Sequence, residues 1–304
     1  MAVQVQTQSR PVARERSVEA IAESYRPKRK FPFWTIVRHL VLLLFCFVVL
    51  FPLAWVLLLS VKTLPEANMA KIWPSTFDFS HYGYAWEKIP TLRRNYMNSI
   101  IVTTTTVVIT TVCATLAGYA LVFLRTPGKV IVTALFVASM FFPTRVTAFI
   151  GIWQLQRELG LINNVYGLVF PYTALSIAIS VFVMRGVFQT VPKDLVDAAK
   201  IDGAGPLRML LGIMLPIVRN GIVVVIIINF VTAWGEYLLA SRLMNEQANW
   251  TLPVVLANAS GGQGAWAMPR LASVYIMAIT PGLLFFAVAQ RWYMKGLQEG
   301  ALKA

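Results

Sequence analysis

Charge is scarce in this chain, and acids are the scarcest part of it. Asp, Glu, Lys and Arg make up 13% of 304 residues, with 13 acids against 27 bases. Soluble domains carry about a quarter charged residues, so an ordinary water-soluble globule is excluded. Cysteine is nearly absent. Cys46 and Cys113 both fall in apolar runs and offer no CxxC, disulfide framework or zinc spacing. His39 and His81 stand at opposite ends of the first long apolar run and cannot form a local metal pair. No G-x-x-x-x-G-K-[ST] is present, so ATP binding through a P-loop of this chain is excluded. G-x-S-x-G and H-E-x-x-H are missing too. The expectation is no catalytic residue, no metal site and no cofactor held by the chain itself. Internal repeats and low-complexity stretches are also lacking.

What the chain has is apolar length. Apolar residues reach 57%, and the mean hydropathy is +0.65. A membrane span needs about 20 mainly apolar residues. Six candidates lie at about 35–61, 97–124, 130–153, 165–185, 216–240 and 271–290, with Pro143 in the third and Pro281 in the sixth. The expected fold is an all-α integral membrane protein. Net charge is +14, but the bases flank apolar runs instead of covering one compact domain, which argues against a nucleic-acid partner. Six spans leave both ends on one side. Placing the N-terminus inside puts about 18 of the 27 bases on the cytoplasmic side, so the reading is N-in, C-in. Residues 1–33, with Arg10, Arg14, Arg16, Arg26, Lys28, Arg29 and Lys30, read as a disordered cytoplasmic tail before a membrane domain at 34–304. Such bases attract anionic membrane lipid.

A polar stretch, Pro192–Pro216, separates spans four and five and makes up most of a loop spanning about 186–215. Asp194, Asp197 and Asp202 alternate there with Lys193, Lys200 and Arg208. Ala198, Ala199, Ile201 and Ala204 supply a small apolar side. Gly203 and Gly205 permit a bend, and Pro206 suits the first turn of a new helix. The expected structure is two short helices around a bend, outside the bilayer.

D-A-A-x-x-D-G-A at Asp197–Ala204, followed by Pro216, resembles the E-A-A-x-x-x-G loop of binding-protein-dependent ABC importer permeases. Asp197 replaces the usual Glu and keeps the charge. Asn98–Ile100, Arg125–Lys129, Leu159–Asn164, Trp234–Ala240 and Thr251–Leu256 resemble further family segments. The ending Gln290–Lys303 is similar to the tail of the maltose-type (MalG-like) carbohydrate branch. The resemblance covers about 90–304, while residues 1–30 carry none of it. It implies a multi-pass protein of a bacterial or archaeal cytoplasmic membrane that imports a sugar, an oligosaccharide or a related glycerol-phosphate solute. It also implies partners: a second permease subunit forming a heterodimer, two cytoplasmic ATPase subunits using ATP and Mg, and an extracytoplasmic solute-binding protein. The coupling set is then Asp197, Ala198, Ala199, Asp202, Gly203, Ala204 and Pro216.

Polar residues at membrane depth form a second set. Asn229, Thr232, Ala233 and Glu236 follow helical spacing and share a face flanked by Trp234 and Tyr237. With Arg145 in the third span, they suit a polyhydroxylated ligand, because rings stack on sugar C–H faces while amides and carboxylates bond hydroxyls. Interhelical hydrogen bonding is the competing account. On the outer side, Gly261, Gly262, Gln263 and Gly264 form a flexible tip suited to entering a binding protein's cleft, or merely mobile. Two other classes compete. A secondary transporter would rely on Glu236. An intramembrane enzyme would use Asp197 and Asp202 as metal ligands, but five residues apart on a helix is about 140°, a poor geometry for one ion.

Overall fold

A computed structural model describes residues 33–69, 71–125, 127–141, 148–261 and 266–301. The expected tail at 1–33 lies outside it except for Phe33. The regular structure of the described residues is all helix, without strands. The chain divides into two units, Met1–Ala54 and Trp55–Ala304. Helix α1, Phe33–Leu59, is apolar on every side and has no buried residue. Its 27 residues reach about 40 Å at 1.5 Å per residue, enough to cross a bilayer core of roughly 30 Å.

In the second unit, short helices α2 (Leu64–Asn68) and α3 (Ser80–Lys88) precede the long α4, Leu92–Phe123. Then follow α5 (Lys129–Phe141), α6 (Phe149–Glu158), α7 (Val169–Gln189, entered through a 3-10 turn at Val165–Leu168) and α8 (Lys193–Ile201). Helix α9 runs Pro206–Trp234. The short α10 (Leu238–Leu243) and α11 (Leu252–Ser260) lead to α12, Met268–Ala301.

Five helices are long and apolar enough to cross a membrane: α1, α4, Val165–Gln189, α9 and Met268–Trp292. The expected third span is not one described helix. Helix α5 has 13 residues, about 20 Å of rise, and α6 restarts at Phe149. Residues 142–147, with Pro143 and Arg145, lie outside the described set. Helix α9 starts ten residues earlier than expected. The second short helix of the polar loop is the first part of α9, running through Pro206–Arg208 and a π-helical segment Met209–Met214 into Leu215–Trp234. Pro216 comes just after the π-helical segment, where the regular i→i−4 ladder is already interrupted and its missing N–H is accommodated.

The core is α4 packed on α7, with α9 against both. Small residues set the approach. A Cβ on Gly118 would meet Met184 Cβ at 2.9 Å and the Arg185 nitrogen at 3.0 Å. One on Gly221 would meet both Val187 methyls at 2.6 Å. Between the helices lies a buried polar seam of Thr103, Thr106, Thr110, Ser176, Ser180 and Asn229. At its centre the Asn229 amide donates to Ser180 Oγ at 2.9 Å and to the Val225 carbonyl at 2.8 Å. That Ser180–Asn229 contact joins α7 to α9, as side-chain hydrogen bonds between membrane helices do, while the Thr106, Thr110 and Ser176 hydroxyls have no hydrogen-bond partner among the described residues.

Candidate functional site

Two places collect the residues singled out in the sequence, one at each end of α4, α7 and α9. At the first, α7 ends at Gln189 and Pro192 precedes α8. Asp194 in the first turn of α8 and Lys200 in its last complement the helix dipole. The helix ends in a Schellman motif. The Ala204 N–H donates to the Ala199 carbonyl at 2.9 Å, the Gly203 N–H donates to the Lys200 carbonyl at 3.1 Å, and Gly203 has φ +74°. Ala199 and Ala204 form the apolar contact that accompanies this motif. The bend expected at Gly203 is therefore present, with the left-handed backbone that glycine allows.

The loop has two faces. Val196 and Ala199 are buried in the cluster of Tyr119, Phe188, Val191, Met209 and Met214. The Tyr119 hydroxyl donates to the Pro206 carbonyl at 2.9 Å, tying the start of α9 to α4. The outward face carries Leu195, Ala198, Ile201 and Leu207, with Ile201 86% exposed and Leu207 67% exposed. Asp197 and Asp202 are exposed beside them. Asp197 pairs with Lys200 at 3.1 Å, a surface ion pair worth at most about 1 kcal/mol. Sequence reasoning grouped Ala198 with Ala199 as partner-facing. The structure turns Ala199 inward, since one residue is about 100° of helix. It missed Leu195 and Leu207, whose signal was bulky apolar residues at helical spacing in a polar loop.

At the other end, asparagines make a clasp. From the start of α4 the Asn95 amide donates to the Gln247 and Trp250 carbonyls at 2.7 and 3.0 Å. The Asn98 amide donates to the Ala248 and Trp250 carbonyls at 2.9 and 3.0 Å. The Leu252 N–H donates to Ser99 Oγ at 2.8 Å. Asn163, with φ +61°, accepts from the Asn245 and Glu246 N–H groups at 3.2 and 3.1 Å, and Asn249 donates to its carbonyl at 2.8 Å. The segments Asn98–Ile100, Leu159–Asn164 and Thr251–Leu256 thus meet in one knot. Its other amides, Asn95 and Asn249, were missed by sequence reasoning. An asparagine one turn before Asn98 was the available signal.

The intramembrane set is spread over different duties. Asn229 belongs to the buried seam. Thr232 Oγ1 donates to the Ile228 carbonyl of its own helix at 2.9 Å. Trp234 donates from its ring nitrogen to the Ala278 carbonyl at 3.2 Å and stacks on Phe230. Glu236 caps α10, accepting from the Leu239 N–H at 3.0 Å and the Ala240 N–H at 3.2 Å. The carboxylate that a secondary transporter would rely on is thus engaged by backbone. Tyr237 is 45% exposed. Gly261 ends α11, and Gly262, Gln263 and Gly264 lie outside the described residues, as does Arg145.

This architecture has known counterparts. A crystal structure of a bacterial ABC transporter involved in the import of the acidic polysaccharide alginate aligns at a TM-score of 0.76 and 21% identity, covering 88% of this chain and 99% of that one. It supports the fold. The sulfoquinovosyl glycerol transport system permease protein SmoH of Agrobacterium fabrum is 30% identical over 84% of this chain and 89% of its own. The diacetylchitobiose uptake system permease protein NgcG of Streptomyces coelicolor is 28% identical over 88% of each chain. Residues 110–298 match the family model for binding-protein-dependent transport system inner membrane components. That segment holds the second part of α4, all of α7 and α9, the bend at Gly203 and α11, and the apolar helices are those of a multi-pass inner-membrane protein. The chain belongs to the family of binding-protein-dependent transport system inner membrane components.

Proposed function

We propose that this chain is the permease subunit of an ATP-driven ABC importer that takes up a carbohydrate or a related glycerol-phosphate solute delivered by a solute-binding protein. The observation that carries this reading is the two-faced loop at Lys193–Leu207, locked inward through Val196 and Ala199 and outward-bare at Leu195, Ala198, Ile201 and Leu207. Covering a bulky aliphatic side chain is worth about 1.5–3 kcal/mol. An ATPase cleft that covers three of them gains a firm hold with little need for charge. The names of the sugar-transporting relatives support the carbohydrate assignment.

In this reading the chain is N-in, C-in with six spans, α5 and α6 together serving as the third. The loop faces the cytoplasm and the asparagine clasp faces out. Asp197, Ala198, Asp202 and Gly203 meet the ATPase or shape the surface it meets. Ala199, Ala204 and Pro216 connect that surface to α9. Thr232, Trp234, Tyr237 and Arg145 line the solute path, and Asn229 and Glu236 support it by packing and capping. Residues 261–264 reach toward the binding protein. ATP and Mg belong to two partner ATPase subunits, and a second permease completes the pathway. The test is to purify the assembled transporter with Ile201→Glu or Leu207→Glu in this chain. Loss of ATPase subunits from the purified complex, with this chain still inserted, is expected. Wild-type stoichiometry together with wild-type solute-stimulated hydrolysis in both variants would overturn the reading.

A further inference from the structure

A basic groove opens between the ends of α4, α5 and α7. Its volume is about 480 Å³, and Leu121, Val122, Val130 and Val137 form apolar walls around Lys129 and Arg185. Among the described residues neither cation takes part in an ion pair or a side-chain hydrogen bond. Gly118 brings α7 against α4 at Met184 and Arg185, so the Arg185 backbone is held in the wall and its side chain is only partly exposed. Lys129 is the first residue of α5, whose first turn contains no acid. The positive end of a helix and two cations therefore converge without any carboxylate to balance them. The outer side of α5 is bare and apolar, with Val130 76%, Ile131 66% and Leu135 65% exposed.

We infer that this groove binds an anionic phospholipid, its phosphate between Lys129 and Arg185 and an acyl chain along Val130 and Val137. A soluble anion would use the cations but leave the apolar walls bare. A zwitterionic lipid would cover the walls but bring a third cation to the same place. Only an anionic lipid satisfies both, and basic clefts between membrane helices are suited to such headgroups. This goes beyond the transport reading. The binding test below does not depend on which membrane face is cytoplasmic, so its failure and the failure of the proposed orientation can be told apart.

The assembled transporter, delipidated in detergent, is titrated with phosphatidylglycerol, with phosphatidylcholine and with inorganic phosphate while its thermal unfolding midpoint is followed. Phosphatidylglycerol should raise the midpoint, and the other two should not. The Lys129→Gln plus Arg185→Gln double variant should need on the order of 25-fold more phosphatidylglycerol for the same rise, about fivefold per cation. Arg185→Lys should keep the response. An unchanged response in the double variant, an equal response to phosphatidylcholine, or an equal response to phosphate alone would overturn the inference. Should the double variant not assemble, Lys129→Gln alone decides, because its side chain is exposed. A shift of about fivefold supports the site, and no shift refutes it.

Discussion

A Cβ added at Gly203 would meet no atom within 4 Å, so any penalty there is conformational. Its φ of +74° costs a residue with a side chain roughly 1 kcal/mol or more. Gly203→Ala should leave insertion intact and speed hydrogen exchange of the Ala204 amide by about fivefold, because that amide closes the Schellman motif. The adjacent alanines separate folding from docking. Ala199 is 5% exposed within the loop's own core, so Ala199→Trp overpacks it and should lower the thermal midpoint of the purified chain by several degrees, about 1–3 kcal/mol. Ala198 is exposed, so Ala198→Trp should keep the midpoint yet reduce ATPase capture. Equal behaviour of the two variants in both assays would contradict the facing described above. The need for Gly203 was legible in the sequence, since a glycine after a short polar helix announces the bend. The facing of Ala198 against Ala199 was not, because both are small and only the packing of Val196 on Phe188 fixes the helix rotation.

Individual elements are held by long-range polar contacts that periodicity does not announce. The sequence motif around Asn98 was visible, but its partners at Ala248 and Trp250 lie 150 and 152 residues away. No local pattern reports such a pairing. Asn98→Ala should cost about 1 kcal/mol, since the part-buried Ala248 carbonyl loses its amide donor and the Trp250 carbonyl keeps only that of Asn95. The loss should be read as a lower thermal midpoint and faster exchange at Leu252. Asn95→Ala should act alike, and the double variant should be more than additive, because the two amides share the Trp250 carbonyl and only the double variant leaves it without either donor. The start of α3 adds a titratable feature. Hydrogen bonds from Ser80, side chain first and then backbone, hold the Asp78 carboxyl below its ordinary value of 3.8. A depressed carboxyl contributes stability above the ordinary value and loses it as pH falls through the lower folded value. Asp78→Asn should therefore flatten the acid limb of the midpoint-versus-pH curve below about pH 4 and leave its shape above pH 5 unchanged. The third span shows the opposite limit of sequence reading. An apolar run of the right length was present, but two separate helices, α5 and α6, are described within it, and run length alone carries no information on helix bounds.

For the whole molecule, the orientation is the first thing to measure. Cysteine placed at position 200 should resist a membrane-impermeant reagent in intact cells, while cysteine at 263 should react. Labelling at 200 from outside would reverse the topology. The span count and the positive-inside bias gave that orientation from sequence because both are sums over many residues. The sharing of tasks along α9 could not be foreseen, since nothing in M-L-L-G-I-M announces a π segment. That segment has a mechanical consequence. From Pro206, past the bend at Gly203, the chain is one unbroken rod to Trp234, about 43 Å of helix. A push on its near end cannot be absorbed by a loop, for none lies in between. It can be absorbed only as rotation at Met209–Met214, where the turn is wider and the backbone bonds are less well matched. Torque applied at Leu207, in the first turn of the rod, would thus arrive at Glu236, which grips the first turn of α10 beside the clasp. The asparagine knot would then be the far bearing of a crankshaft, and stiffness in it would govern how much of each stroke reaches the solute.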